Sequence, residues 1–259
     1  MKKLIIGATL LAIGCVTAMT QEGTTPVVPQ SLPTAAPDFS SWTTSFTYLD
    51  KKDDVNRQAQ YQAAMTKLAV DDPLLAKALA KGRGGGFVPR VKDISVVKSK
   101  DIEHQIVTYM GGQSEESWKS PSARAARNPQ TQAIEYRSAN VEAMNFPELK
   151  WVTGANFKQT RKVQGVECLV FQGRVARMQI ENPLLVELTG SDTTPDTDVE
   201  VVVNAATLLP VSVRTDEVTR TYSFRQPPTA MQQIPQEFAS VVNKAESKLR
   251  ARLAPLSPP

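Results

Sequence analysis

Asp198-Val199-Glu200-Val201-Val202-Val203-Asn204-Ala205-Ala206-Thr207-Leu208-Leu209-Pro210-Val211-Ser212-Val213 is two apolar runs around one short break. Val-rich runs of this length fit a pleated, half-buried surface, and an Asn side chain can close a turn on its own following backbone. The stretch predicts an antiparallel hairpin, with strands at Asp198 to Asn204 and Leu209 to Thr215, and Val218 to Arg225 predicts a third strand beside it.

Moving toward the N-terminus, further strands are predicted at Val163 to Gly173, Leu184 to Leu188, Gln132 to Arg137, Glu116 to Lys119, His104 to Met110 and Val91 to Val97. Gly111-Gly112 supplies a turn between two of them, whereas Ser120 to Gln130, with its two prolines, reads as a loop. Trp42, Thr44, Phe46 and Tyr48 alternate with Ser41, Thr43, Ser45 and Thr47, which predicts a first strand with its aromatic residues on one face. Between this strand and Val91, Asp53 to Lys81 has helical spacing, and Asp72-Pro73 looks like an N-cap followed by Pro at the first helical position, so two helices are expected. Phe146 to Trp151 predicts a helical turn that seats Trp151 in the core. Pro235 to Leu253 predicts an amphipathic helix with Phe238, Val242, Ala245, Leu249 and Leu253 on one side. The sum is an α+β chain: a curved antiparallel sheet, an incomplete β-barrel, covered by helices and finished by a C-terminal amphipathic helix.

The 259 residues suit one domain with tails, and 41% hydrophobic content excludes wholesale disorder. Met1 to Thr20 has two lysines, an apolar run from Leu4 to Val16 and then small residues, too short for a membrane span and typical of an export signal. Three processing readings stay open: cleavage after Ala18, cleavage after Thr20, or a lipoprotein signal Ala12-Ile13-Gly14-Cys15 in which Cys15 is lipidated. Residues 21–37 read as a Pro/Thr-rich tether, 38–228 as the β-rich domain and 229–259 as the C-terminal helix and tail. Export places the chain in the periplasm, or on a membrane facing the periplasm or the cell surface. With Cys15 removed or lipidated, Cys168 has no partner for a disulfide inside the chain, and its strand-like setting makes it a small buried hydrophobe.

The formal charge of +4 falls to +2 once Lys2 and Lys3 leave with the signal. It conceals a segment 77–177 of charge +8 and a segment 178–224 of charge −6, which are expected to pair with one another. Without interleaved basic and aromatic residues, a nucleic-acid partner is not expected. Gly82 to Gly86 lacks the Gly-Lys-Ser/Thr ending of a phosphate loop. His104, the one histidine, has no nucleophile elbow to serve. Asp192, Asp196, Asp198 and Glu200 lack the order and the Gly of a calcium loop. The sequence therefore predicts no catalytic residue, no metal and no cofactor. What remains is apolar: Trp42, Phe46, Tyr48, Tyr109, Trp118, Trp151, Phe171, Tyr222 and Phe224 either line a cavity or fill a core.

Val163 to Phe171, Asp198 to Val213 and Thr221-Tyr222-Ser223-Phe224 together resemble the periplasmic outer-membrane lipoprotein-sorting carrier (LolA/LolB-like) superfamily. The likeness covers about 60 residues and rests on a strand, an Asx-type turn, a Leu-Pro strand and a further strand, with Asn204 where Asp is more usual. The resemblance implies an unclosed antiparallel barrel, helices over its open face and a cavity for acyl chains. The tether, the lipid-anchor signal and the helical pair depart from a freely diffusing carrier. Two functions follow as expectations. One is a non-enzymatic envelope protein that binds a lipid or acylated protein in a half-barrel cavity. The other is a structural or sensory envelope component whose sheet is only a packed core and which docks a protein partner.

Overall fold

The strand nearest the N-terminus sits at the centre of the sheet. In this computed structural model, which describes residues 27–50, 54–73, 89–121, 123–129, 131–138, 144–181 and 195–253, β1 (Phe39–Tyr48) pairs with β11 (Val218–Arg225) on one side and β2 (Val91–Ser99) on the other. From β2 the chain meanders outward through β3 (Ile102–Tyr109), β4 (Ser114–Lys119), β5 (Ala123–Arg127) and β6 (Ile134–Ser138). It then builds inward from the opposite edge through β7 (Phe157–Val163), β8 (Val166–Ala176), β9 (Asp196–Asn204) and β10 (Pro210–Arg214) to β11. The result is one open sheet of eleven strands in the order β6-β5-β4-β3-β2-β1-β11-β10-β9-β8-β7, antiparallel at every neighbouring pair. It is an incomplete barrel with β6 and β7 as its edges.

The hairpin around Asn204 forms as its chemistry dictates. The Asn204 side-chain oxygen accepts the backbone N–H of Ala206 at 2.8 Å and of Thr207 at 3.1 Å. One predicted strand, Val163 to Gly173, is instead most of a hairpin. Gln164 and Gly165 take φ of 50° and 83°, the left-handed pair that a two-residue primed turn requires, and the chain reverses there. The predicted loop Ser120 to Gln130 contains β5. Its Ala123 and Ala125 have weak strand propensity, yet their small side chains let a helix settle onto the sheet.

That helix is α3 (Gln236–Leu253), as expected from its apolar stripe, and α2 (Arg177–Glu181) is a single short turn. Phe238 and Val242 of α3 are buried with Trp118, Ala123 and Ala125 on the outer face of the sheet. Of the helical pair expected before β2, the described residues hold the first, α1 (Asp54–Asp71), and none of its described side chains is buried. The second helix of that pair, the Gly82 to Gly86 run and the Leu184 to Leu188 strand lie outside the described residues.

The inner face carries the main core. Phe146, Leu149 and Val152, around a 3-10 turn at Pro147–Leu149, pack on Leu169, Phe171, Val201, Val203 and Val213. The turn and its flanks bury these three residues and Glu148, and Trp151 is only half-buried at the margin. Residues 27–37, expected to be tether, instead run along the domain. Leu32 and Ala36 are in the core, Ser31 bridges Thr153, and Gly154 N–H donates to the Gln30 carbonyl at 3.1 Å. A Pro/Thr-rich composition does not prevent packing when the few apolar residues meet a prepared surface.

Candidate functional site

Strand register decides which side chains meet on the inner face. Trp42 is opposite Phe224 and Val96, Thr44 is opposite Tyr222 and Ile94, and Phe46 is opposite Arg220. Continuing outward, Val96 faces Gln105, Gln105 faces Ser117, Glu103 faces Lys119 and Lys119 faces Arg124. Directly paired residues share a face, so all of these converge on one side. All of them but Phe224 line, together with Met144, Asn145, Pro147 and Glu148 from the covering segment, a cavity of about 280 Å3. A second hollow of about 550 Å3, lined in part by Tyr48, Arg57, Arg90, Asp216 and Glu217, shares Phe46 and Arg220 with the first.

The cavity has an apolar strip, formed by Trp42, Phe46, Ile94 and Val96, and two polar networks. One is centred on Asn145. Its Oδ1 accepts the Ala36 N–H at 2.9 Å and lies 3.4 Å from Lys98 Nζ, while its Nδ2 donates to Glu103 Oε1 at 3.0 Å. Glu103 is also 3.6 Å from Lys119 Nζ, and the buried Lys98 ammonium donates to the Ala36 carbonyl at 2.8 Å. Arg124 extends the polar wall by donating to Gln105 Oε1 at 2.6 Å and Ser117 Oγ at 2.8 Å.

The second network is Tyr222, Glu148 and Arg220. The Tyr222 hydroxyl donates to Glu148 Oε1, and Arg220 Nη1 stands 3.7 Å from the same oxygen. Glu148 is buried in the covering segment, and desolvation pushes its carboxyl above the usual carboxylate range, against the opposing pull of the Arg220 charge. The Arg220 guanidinium lies 5.7 Å from the Phe46 ring centre, and its Nε is buried with no hydrogen-bond partner among the described residues.

Of the nine aromatic residues singled out by sequence, Trp42, Phe46 and Tyr222 line the cavity and Tyr48 lines the adjoining hollow. Phe224 packs behind Trp42 at 6.2 Å between ring centres. Phe171 is fully buried against Phe157, and Trp151 lies over Gly173, so neither reaches the cavity. Tyr109 is on the inner side, opposite Val91, but it is not among the residues lining either hollow. Trp118 belongs to the outer face, stacked on His104 at 4.2 Å and packed under Phe238. His104 and Trp118 both bond Glu116 Oε1, at 3.0 and 3.1 Å, which gives the histidine a structural role. Cys15 lies outside the described residues.

Sequence reasoning missed Glu103, Gln105, Lys119, Arg124, Asn145, Glu148 and Arg220. The polar members of β3 to β5 do alternate, but only the pairing register shows that they share a wall. The charged segments pair as anticipated: Arg161 meets Glu200 at 3.1 Å, Arg177 meets Glu217 at 2.7 Å, and Arg174 meets Asp196 at 3.9 Å. Asp196 and Glu200 thus serve as partners for arginine, and Asp192 lies outside the described residues. Cys168 is buried between strands with its thiol raised above the ordinary value by desolvation.

Among solved structures, the chain is similar to the lipoprotein LppX of Mycobacterium tuberculosis, at 8% identity and a TM-score of 0.38, over 75% of this chain and 89% of that one. It is also similar to LprF from Mycobacterium bovis, at 10% identity and a TM-score of 0.35, over 77% and 90% of the two chains. No protein-family model and no curated protein matches it.

Proposed function

We propose that this chain is an exported cell-envelope protein, without catalytic activity, that binds a hydrophobic or lipidated ligand on the inner face of its half-barrel. The observation that carries the reading is the cavity itself, an apolar strip of Trp42, Phe46, Ile94 and Val96 facing a wall of hydrogen-bonding side chains. A packed core leaves few voids larger than a water molecule, whereas ligand sites are hollows of about 300 to 1,000 Å3, largely apolar with a few placed polar groups. The mixed lining suits an amphiphile, with an acyl chain on the aromatic strip and a polar head on the opposite wall. Export rests on Met1 to Thr20, and membrane attachment rests on lipidation of Cys15. The likeness to sorting carriers of Val163 to Phe224 agrees with ligand binding; an anchored chain would receive or present such a ligand in place.

Native mass spectrometry of the protein purified from its own envelope tests this reading. A co-purifying amphiphile is the expected result, and a stoichiometric protein partner bound to a ligand-free cavity would replace it with the docking alternative. The intact mass of the processed N-terminus distinguishes a lipidated Cys15 from cleavage after Ala18 or Thr20.

A further inference from the structure

Arg220 stands at the junction of the hollows on the inner face. It lines the 280 Å3 cavity, the 550 Å3 hollow beyond Phe46 and a small recess beside Arg177 and Ile180. Its side chain is only 17% exposed, so its charge is largely removed from water and needs compensation from its surroundings. Among the described residues that compensation is incomplete: Nε has no hydrogen-bond partner there, and Nη1 is 3.7 Å from Glu148 Oε1, beyond the roughly 2.7 to 2.9 Å of a charge-assisted hydrogen bond. The Glu148 carboxyl is instead engaged by the Tyr222 hydroxyl.

A guanidinium offers five donors in a planar fork that matches a carboxylate or a phosphate. The cavity lining as a whole holds Lys119, Arg124 and Arg220 against Glu103 and Glu148, an excess of positive charge beside an apolar strip. Arg124 already directs its fork at Gln105 and Ser117, and Lys119 faces Glu103. Arg220, held only by the long 3.7 Å approach to Glu148 and by the Phe46 ring, is therefore the cation of the lining that a new anion meets at the smallest loss of existing contacts.

We propose that Arg220 receives the anionic head, a carboxylate or a phosphate monoester, of an acyl amphiphile whose chain lies along Trp42, Phe46, Ile94 and Val96. This rests on the amphiphile reading above and adds the charge of the head. Glu148 then acts as an internal competitor that holds Arg220 loosely while the cavity lacks its ligand.

The experiment is displacement of a fluorescent acyl probe from the purified mature chain by dodecanoate, dodecyl phosphate, dodecanol and inorganic phosphate. Dodecanoate and dodecyl phosphate should bind at least tenfold more tightly than dodecanol, and inorganic phosphate alone should not displace the probe. Arg220→Gln should remove the preference for the charged heads while leaving dodecanol binding in place, with Arg220→Lys intermediate. Glu148→Gln keeps the shape and a partner for Tyr222 but removes the competing carboxylate, so it should tighten binding of the charged heads severalfold. A gain of that kind cannot come from a damaged fold. Equal binding of dodecanol and dodecanoate, or an unchanged preference in Arg220→Gln, overturns the assignment to Arg220 while leaving amphiphile binding standing. Displacement by inorganic phosphate alone overturns it in favour of a free-anion site. Failure of every amphiphile to bind overturns both readings.

Discussion

Between β8 and β10 the inner face of the sheet presents Leu169, Phe171, Val201, Val203 and Val213, none more than 1% exposed. Between β3 and β5 the same face presents Glu103, Gln105, Ser117, Lys119 and Arg124. One covering segment serves both halves. Over the first it contributes Phe146, Leu149 and Val152, which fill the space; over the second it contributes Met144, Asn145, Pro147 and Glu148, which border a hollow. The contrast shows how an open sheet can divide its labour. The dry half supplies burial, the dominant favourable term in folding, and so frees the other half to keep polar groups and open volume. A sheet with both halves dry would be more stable and would have no room for a ligand.

The largest perturbation of this contrast should come from the dry side. Phe146 is fully buried and touches Trp42, Tyr222 and Phe224, so Phe146→Ala is expected to cost about 3 to 5 kcal/mol in chemical denaturation. A cost under about 1 kcal/mol would mean that the dry half is not the source of stability. On the wet side, Asn145→Ala strips partners from the Ala36 N–H, Lys98 and Glu103 together. It should cost about 1 to 3 kcal/mol and loosen the segment around Ala36, seen as faster amide exchange there.

The third effect is one of pH. A carboxyl raised by burial holds its proton more tightly in the folded than in the unfolded chain. Glu148 therefore favours folding fully below the unfolded value of about 4.3, and this contribution is lost as pH rises through the raised native value. Urea midpoints of wild type and Glu148→Gln should diverge in favour of wild type as the pH is lowered from neutrality. Divergence in the opposite direction would show that the Arg220 charge outweighs burial. The smallest effect belongs to the exposed pairs between the basic and acidic segments. Arg161→Ala should change stability by less than about 1 kcal/mol, and added salt should shrink the change further.

The strands most readable in sequence were those whose faces differ in chemistry. Trp42, Thr44, Phe46 and Tyr48 announce β1 by alternation, and Asn204 announces the β9–β10 turn by its side-chain oxygen. β5 was hidden because Ala123 and Ala125 are chosen for fit under Phe238, a property of the partner helix and not of the strand. The turn at Gln164-Gly165 was hidden inside a run whose apolar content looked continuous. The aromatic wall of the cavity was partly legible through Trp42, Phe46 and Tyr222, because large apolar residues in a strand imply an inner face. Trp118 misled for the same reason, since this sheet buries residues on both of its faces. The polar wall was not legible, since Lys119, Arg124 and Arg220 acquire a common environment only through the register of separate strand pairs.

Leu32, Ala36 and the Ser31 to Thr153 bridge also set a mooring length. The chain is fastened to the domain from about Val28, which packs against the core, and only 13 residue steps separate Val28 from Cys15. At 3.3 to 3.6 Å per residue that leash reaches at most about 45 Å when fully drawn out. With Cys15 in the bilayer, the half-barrel would be berthed within about one membrane thickness of the surface. The amphiphile proposed for the half-barrel would then enter and leave at the quayside, close to the membrane surface.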